Sequence, residues 1–177
     1  MTTPATTDGG GSASDSGSAR VRSRLAELGL ELPAVAAPVA AYVPAVRSGA
    51  HVHTSGQLPF VDGALPATGK VGAEVAPERA AELAATCCLN ALAAIEALIG
   101  DLDQIQRVVK LTGFVASDPS FTGQPGVING ASELLGEVFG EAGAHARSAV
   151  GVAVLPLDAP VELELMVELA SPLAPTA

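Results

Sequence analysis

The stretch His145 to Leu169, HARSAVGVAVLPLDAPVELELMVEL, decides the fold. It predicts two strands joined by the connection Leu155 to Pro160. From Val161 the residues alternate strictly. Val161, Leu163, Leu165, Val167 and Leu169 share one face, and Glu162, Glu164, Met166 and Glu168 share the other. That period of two marks a half-buried strand. The preceding strand puts Ser148, Val150, Val152 and Val154 on one face and Arg147, Ala149, Gly151 and Ala153 on the other. The second face is nearly all small, so something must come close to it, and a second copy of the chain is expected to supply that cover. One guanidinium sits at its start. An arginine beside a small-residue surface, next to a carboxylate-bearing strand, reads as an anion pocket.

Working outward, 177 residues and 17.5 kDa suit one domain with a tail. A hydrophobic fraction of 49% supplies a core, and with aromatics at 3% that core is built from Ala, Val and Leu. The formal net charge of −10 repels nucleic-acid phosphate, and few rings exist to stack bases. No nucleic-acid partner is expected. Cys87 and Cys88 are adjacent on a helical segment and cannot close an ordinary disulfide. They read as small buried hydrophobes in a reducing cytosol, with a reactive or metal-binding pair as the alternative. No apolar run is expected to reach the ~18 residues of a membrane span, and the N-terminus lacks the basic and apolar regions of a signal peptide. The expectation is a cytoplasmic protein with no membrane partner.

Residues 1–19 are Thr, Gly, Ser, Ala and Asp without periodicity and are expected to be a disordered tail. Ser18 can cap a short accessory helix, Arg20 to Leu28, that stops at Gly29 and carries the stripe Val21, Leu25, Leu28. Helix and linker occupy 20–33, the main domain 34–170, and a C-terminal tail 171–177. Tyr42 to Arg47 and Ala50 to Gln57 predict a hairpin turning at Ser48-Gly49, with Pro44 marking an edge strand. Leu58 to Gly72 is a Pro- and Gly-rich loop of the length that is often functional. Pro77 opens the main helix, which runs to Ile99 and ends at Gly100. Its polar stripe is thin (Glu78, Arg79, Glu82, Thr86, Asn90), so the helix must be covered on most sides. Ile105 to Ser117 is a third strand, Asp118-Pro119 a turn, and Pro125 to Phe139 a second helix closed by Gly140. The order ββαβαββ gives an α+β domain, with two long helices packed on one face of a mixed sheet.

Four stretches then resemble the Rid family, also called YjgF, of small imine and enamine deaminases. Ala41-Tyr42 before a short strand is similar to the family's N-terminal tyrosine segment. Thr54-Ser55-Gly56-Gln57-Leu58-Pro59 is similar to its Thr-Ser-Gly-Gln-hydrophobic-Pro turn. Val127-Ile128-Asn129 resembles the asparagine segment of its second helix. Ala146-Arg147-Ser148, Val154-Leu155-Pro156 and Glu162 with Glu164 resemble its terminal signature. The resemblance covers roughly Ala34 to Ala170. It implies a chorismate-mutase-like fold, a homotrimer with three clefts between subunits, and no cofactor. It implies Arg147 as carboxylate anchor, backbone around Ser55 and Gly56 lining the cleft, and Glu162 holding the hydrolytic water. Tyr42 and Asn129 would shape the site, and Ala149 would line it. There are departures. Ala149 stands where the family often has cysteine, Gly151 where many relatives carry a carboxylate, and Ala40-Ala41 where Gly-Pro precedes the tyrosine. A wider pocket and a larger substrate fit these changes.

The implied reaction is hydrolysis of a 2-imino acid, formed from its 2-enamino acid, to a 2-keto acid and ammonia. It needs an anion clamp and a positioned water. Arginine suits the first and glutamate the second. The competing structural roles are an internal salt bridge from Arg147 to Glu162 or Glu164, and a solvated strand face for Glu162. Three histidines, His51, His53 and His145, are the residue type for a metal site. No acidic or cysteine partner stands at ligand spacing, so surface or turn roles are expected and no metal. Ser55 has no His-Asp pair in nucleophile order and reads as a hydrogen-bond donor in a turn. A non-catalytic or pathway-specific trimer binding a small carboxylate metabolite is the alternative function. An RNA-cleaving role, a label sometimes attached to this family, is opposed by the charge.

Overall fold

A computed structural model describes residues 20–35 and 41–170. The elements run α1 (Arg20–Glu27), β1 (Ala45–Ser48), β2 (His51–Thr54), α2 (Pro77–Ile99), β3 (Ile105–Ala116), α3 (Gln124–Phe139), β4 (Ala146–Val152) and β5 (Val161–Leu169). One mixed sheet has the strand order β1-β2-β5-β3-β4. Only β3 and β4 pair in parallel; the other neighbours are antiparallel. The expected order ββαβαββ is present, with α2 and α3 packed on one face of the sheet.

Alternation in β5 builds the core. Val161, Leu163, Leu165, Val167 and Leu169 are all buried, and the residues between them turn to the other face. Against that buried row lies α2, through Leu83, Cys87, Leu92 and Ile95 among others. Gly100 ends α2 in the left-handed region (φ 84°), and its N–H donates to the Glu96 carbonyl. By length and composition α2 could cross a bilayer, with a mean hydropathy of 1.6 in its most apolar window. Here that apolar surface is used against the sheet and α3. Gly130 lets α3 lie on α2, since a side chain there would overlap the Ala81 carbonyl.

The accessory helix is α1, and Val21 and Leu25 join the main core with Leu28 packed beside them. Ser18, expected to cap it, lies outside the described residues, as do residues 1–19, 36–40 and 171–177. The first turn is capped from elsewhere: the Arg20 and Val21 N–H groups donate to the two Asp103 carboxylate oxygens, each at 2.9 Å.

Three boundaries differ from expectation by two residues or more. β1 starts at Ala45, not Tyr42, because the Val43 and Pro44 carbonyls accept from Ser55 instead of entering a ladder. β2 stops at Thr54; Ser55 and Gly56 break the pairing, and Gln57 re-enters it as an isolated bridge to Leu163. β4 stops at Val152, so the connection to β5 begins at Ala153 rather than Leu155. Leu157 and Asp158 both take left-handed conformations there, which no strand can hold. The small face of β4 is only partly bare: Arg147 and Ala149 are half-buried, while Gly151 and Ala153 are exposed. Arg147, Ala149 and Gly151 turn toward α3, and a Cβ at Gly151 would sit 2.9 Å from Gln124 Nε2. The exposed large apolar side chains of β4 and the connection after it are Val150, Val154 and Leu157.

The long loop before α2 is ordered by bonds from its surroundings. Asn90, from the polar stripe of α2, donates to the Leu58 and Phe60 carbonyls. Val71 N–H donates to Ala116, and Asp118 N–H donates back to Val71.

Candidate functional site

Arg147 is the second residue of β4, and its side chain crosses to α3. Its Nη1 donates to Asn129 Oδ1 at 2.8 Å and to Ser132 Oγ at 3.1 Å. Asn129 and Ser132 are three apart on α3 and so share a face. Ser132 Oγ lies 3.1 Å from His145 Nε2, and His145 Nδ1 lies 2.6 Å from the Gly143 carbonyl. Among the described residues Arg147 has no ion pair. Beside it opens a cavity of about 420 Å³, lined by Ser132, Gly136, Gly140, Gly143 and His145. A cation with hydrogen-bonded neighbours and open space is equipped to hold a small carboxylate.

Glu162 forms a second cluster. It is partly buried and lies across Gly56 so closely that a Cβ there would overlap its carboxylate. Burial, and then the neighbouring Glu164, raise its pKa above the usual carboxylate value. Ser55 Oγ donates to the Val43 carbonyl at 2.6 Å and Ser55 N–H to the Pro44 carbonyl at 2.9 Å. That fixes the segment carrying Tyr42, which is half exposed. Ser55 is therefore a turn donor, as its sequence context predicts.

The two clusters leave the sheet on opposite faces. Arg147 is in register with Leu111, and Leu111 with Leu165; both leucines are buried under the helices. Glu162 is in register with Phe114, and Phe114 with Val150, on the other face. The internal salt bridge from Arg147 to Glu162 or Glu164 is thus not formed. Within one chain the structure brings Arg147 together with Asn129 and Glu162 together with Gly56, but does not join the pairs. Ala149, two residues beyond Arg147 on the same face, packs against the core.

Other groups are settled by their surroundings. Cys87 and Cys88 are fully buried; burial pushes the Cys88 thiol up to about 12 and Cys87 well above its ordinary value. Neither is a nucleophile near neutral pH. His51 and His53 share the open face, their rings 6.5 Å apart. His145 has a turn role through Gly143, but it also reaches Ser132 behind Arg147. Sequence reasoning missed Ser132 altogether. The available signals were its three-residue spacing from Asn129 and the two-residue spacing of His145 from Arg147.

Comparison with known proteins shows the family. A family model described as "YjgF/chorismate_mutase-like, putative endoribonuclease" matches residues 22–169. Protein TCP17 of Trypanosoma cruzi is 50% identical over 153 residues, covering 86% of this chain and 96% of that protein. A crystal structure of a protein of unknown function from Agrobacterium tumefaciens is similar at 48% identity with a TM-score of 0.80. It covers 86% of this chain and 94% of that one. RidA from an Antarctic Psychrobacter species is similar at 29% identity and a TM-score of 0.53, over 76% of this chain and 94% of that one. With a family model matching residues 22–169 and relatives of this length and fold, the chain belongs to the YjgF, or Rid, family.

Proposed function

We propose that the protein hydrolyses 2-imino acids, and the 2-enamino acids in equilibrium with them, to 2-keto acids and ammonia. The observation that carries this reading is Arg147: a cation without an acidic partner among the described residues, held by Asn129 and Ser132 beside an open cavity. The substrate carboxylate lies on the guanidinium. Water then adds to the C=N carbon, a proton passes to the nitrogen, the C–N bond breaks with release of ammonia, and the new oxygen keeps the C=O double bond. Glu162, with its raised pKa, accepts the proton from water and returns it to the leaving nitrogen. The residues need no cofactor for these steps.

The site is proposed to be completed by a second copy. Arg147 stands on edge strand β4, and Ser55, Gly56 and Tyr42 lie toward the opposite edge, β1. Exposed apolar side chains occur at both edges, Val150 and Val154 at one and Tyr42, Val43 and Val46 at the other. Joining the β4 edge of one copy to the β1 edge of the next covers both and brings Arg147 toward the neighbour's Ser55–Gly56 segment, on which that copy's Glu162 rests. Three such heterologous contacts close a ring. The proposed location is the cytoplasm. RNA cleavage is a poor fit to a chain of net charge −10.

The alternative is a trimer that binds a carboxylate metabolite without turning it over. It is favoured by Gly151, which supplies no carboxylate where the resemblance implies one in many relatives, and where a Cβ would sit 2.9 Å from Gln124 Nε2. A coupled assay with freshly generated 2-iminobutyrate separates the two. Turnover by the wild type that is lost in Arg147→Ala supports the deaminase. Arg147-dependent binding of 2-oxobutanoate without imine turnover supports the binding module.

A further inference from the structure

We infer that Ser132 and His145 are positioning residues for Arg147, acting as a directed hydrogen-bond chain that decides which edge of the guanidinium meets the ligand. This rests on the reading of Arg147 as the carboxylate anchor. The chain starts at the Gly143 carbonyl. A carbonyl can only accept, so the proton on the His145 ring is on Nδ1, 2.6 Å away. In the neutral imidazole Nε2 is then bare and accepts the Ser132 hydroxyl proton across 3.1 Å. Ser132 Oγ, its hydrogen committed to the ring, turns lone pairs toward Arg147 and accepts from Nη1. Every link points one way, from arginine to backbone.

Both ends of the chain are fixed. Gly143 is pressed against α3, where any side chain would overlap the Leu135 carbonyl. Asn129, on the same helix, takes the other Nη1 hydrogen. A guanidinium has five N–H donors. With both Nη1 hydrogens used, the Nε and Nη2 hydrogens make no bond among the described residues. A carboxylate binding in the bidentate manner is therefore directed to the Nε–Nη2 edge, with one approach direction instead of two. Holding the fork in advance removes an ordering cost from ligand binding.

The test is calorimetric titration of 2-oxobutanoate into the full chain, with melting temperatures measured on the same samples. Ser132→Ala should weaken binding about tenfold, the order expected for one hydrogen bond to a charged group, and Ser132→Thr should restore it. His145→Ala should weaken binding in the wild-type background and add nothing in the Ser132→Ala background, because the chain is already cut. Unchanged affinity in Ser132→Ala, or additive effects of the two substitutions, overturns the inference even if melting temperatures fall. Should His145→Ala not fold, Ser132→Ala against Ser132→Thr decides alone. Arg147→Ala is the separate control. If it binds 2-oxobutanoate as well as the wild type, the carboxylate-anchor reading fails, and the positioning role with it.

Discussion

The Glu162 carboxylate rests on the backbone of Gly56, in space that any larger residue would claim. The overlapping atoms are the far end of a flexible side chain. In Gly56→Ala the glutamate should therefore swing away while the fold persists. Turnover of 2-iminobutyrate should fall about as far as in Glu162→Gln, with a melting temperature within a few degrees of the wild type. A variant of full activity would show that this placement of Glu162 is incidental to catalysis.

The raised pKa of Glu162 fixes the sign of a pH effect. A carboxyl with a higher pKa folded than unfolded binds its proton better in the folded state. Stability is then greatest below the unfolded carboxylate pKa and declines as pH rises through the folded one. Glu162→Gln removes the ionisable group. It should melt at or above the wild type near neutral pH and lose that advantage in acid, while turnover drops and 2-oxobutanoate still binds. Melting curves across that range check the sign.

Asp103 is a capping residue borrowed from another part of the chain. Its carboxylate accepts from the first two N–H groups of α1. Asp103→Ala should cost about 1 kcal/mol, the usual worth of such a cap, and the loss should be local. Hydrogen exchange should accelerate in Arg20–Glu27 and stay slow in α2 and β5. Uniform acceleration would mean that α1 is not separable from the core it touches.

What was legible in the sequence follows from periodicity and punctuation. β5 was readable because its two faces differ at every step, and α2 because Pro77 and Gly100 bracket an apolar run. The strand ends were not, since they depend on partners. Nothing local in Tyr42 to Pro44 says that Ser55 will take their carbonyls. Arg147, Asn129, Gly56 and Glu162 could be named from the family signature. Their division between two faces could not, because it emerges only when β4, β3 and β5 are set in register. Asp103 was invisible for a related reason, since it acts on a residue 83 positions away and breaks no local pattern. Ser132 left only the weak signal of its spacing from Asn129.

That division gives the sharpest test of the proposed assembly. If Arg147 of one copy works with Glu162 of the next, Arg147→Ala and Glu162→Gln should each be inactive alone. Co-expressed in equal amounts, they mix within trimers. A site is intact when its arginine comes from a Glu162→Gln copy and its glutamate from an Arg147→Ala copy. Random mixing makes about a quarter of the sites intact in a head-to-tail ring. Imine hydrolysis should then return to about a quarter of the wild-type rate per subunit. A site contained within one copy predicts no recovery, because every chain carries one lesion. Doubly substituted chains, Arg147→Ala with Glu162→Gln, co-expressed with wild type provide the calibration. They supply neither residue, so in the same random mix again only a quarter of the shared sites stay intact, whereas self-contained sites would keep half. Recovery in the first mixture together with a quarter in the second requires the site to span two copies. Silence in the first with half in the second places Arg147 and Glu162 in the service of the same chain, against their opposite faces, and ends the shared-cleft assignment.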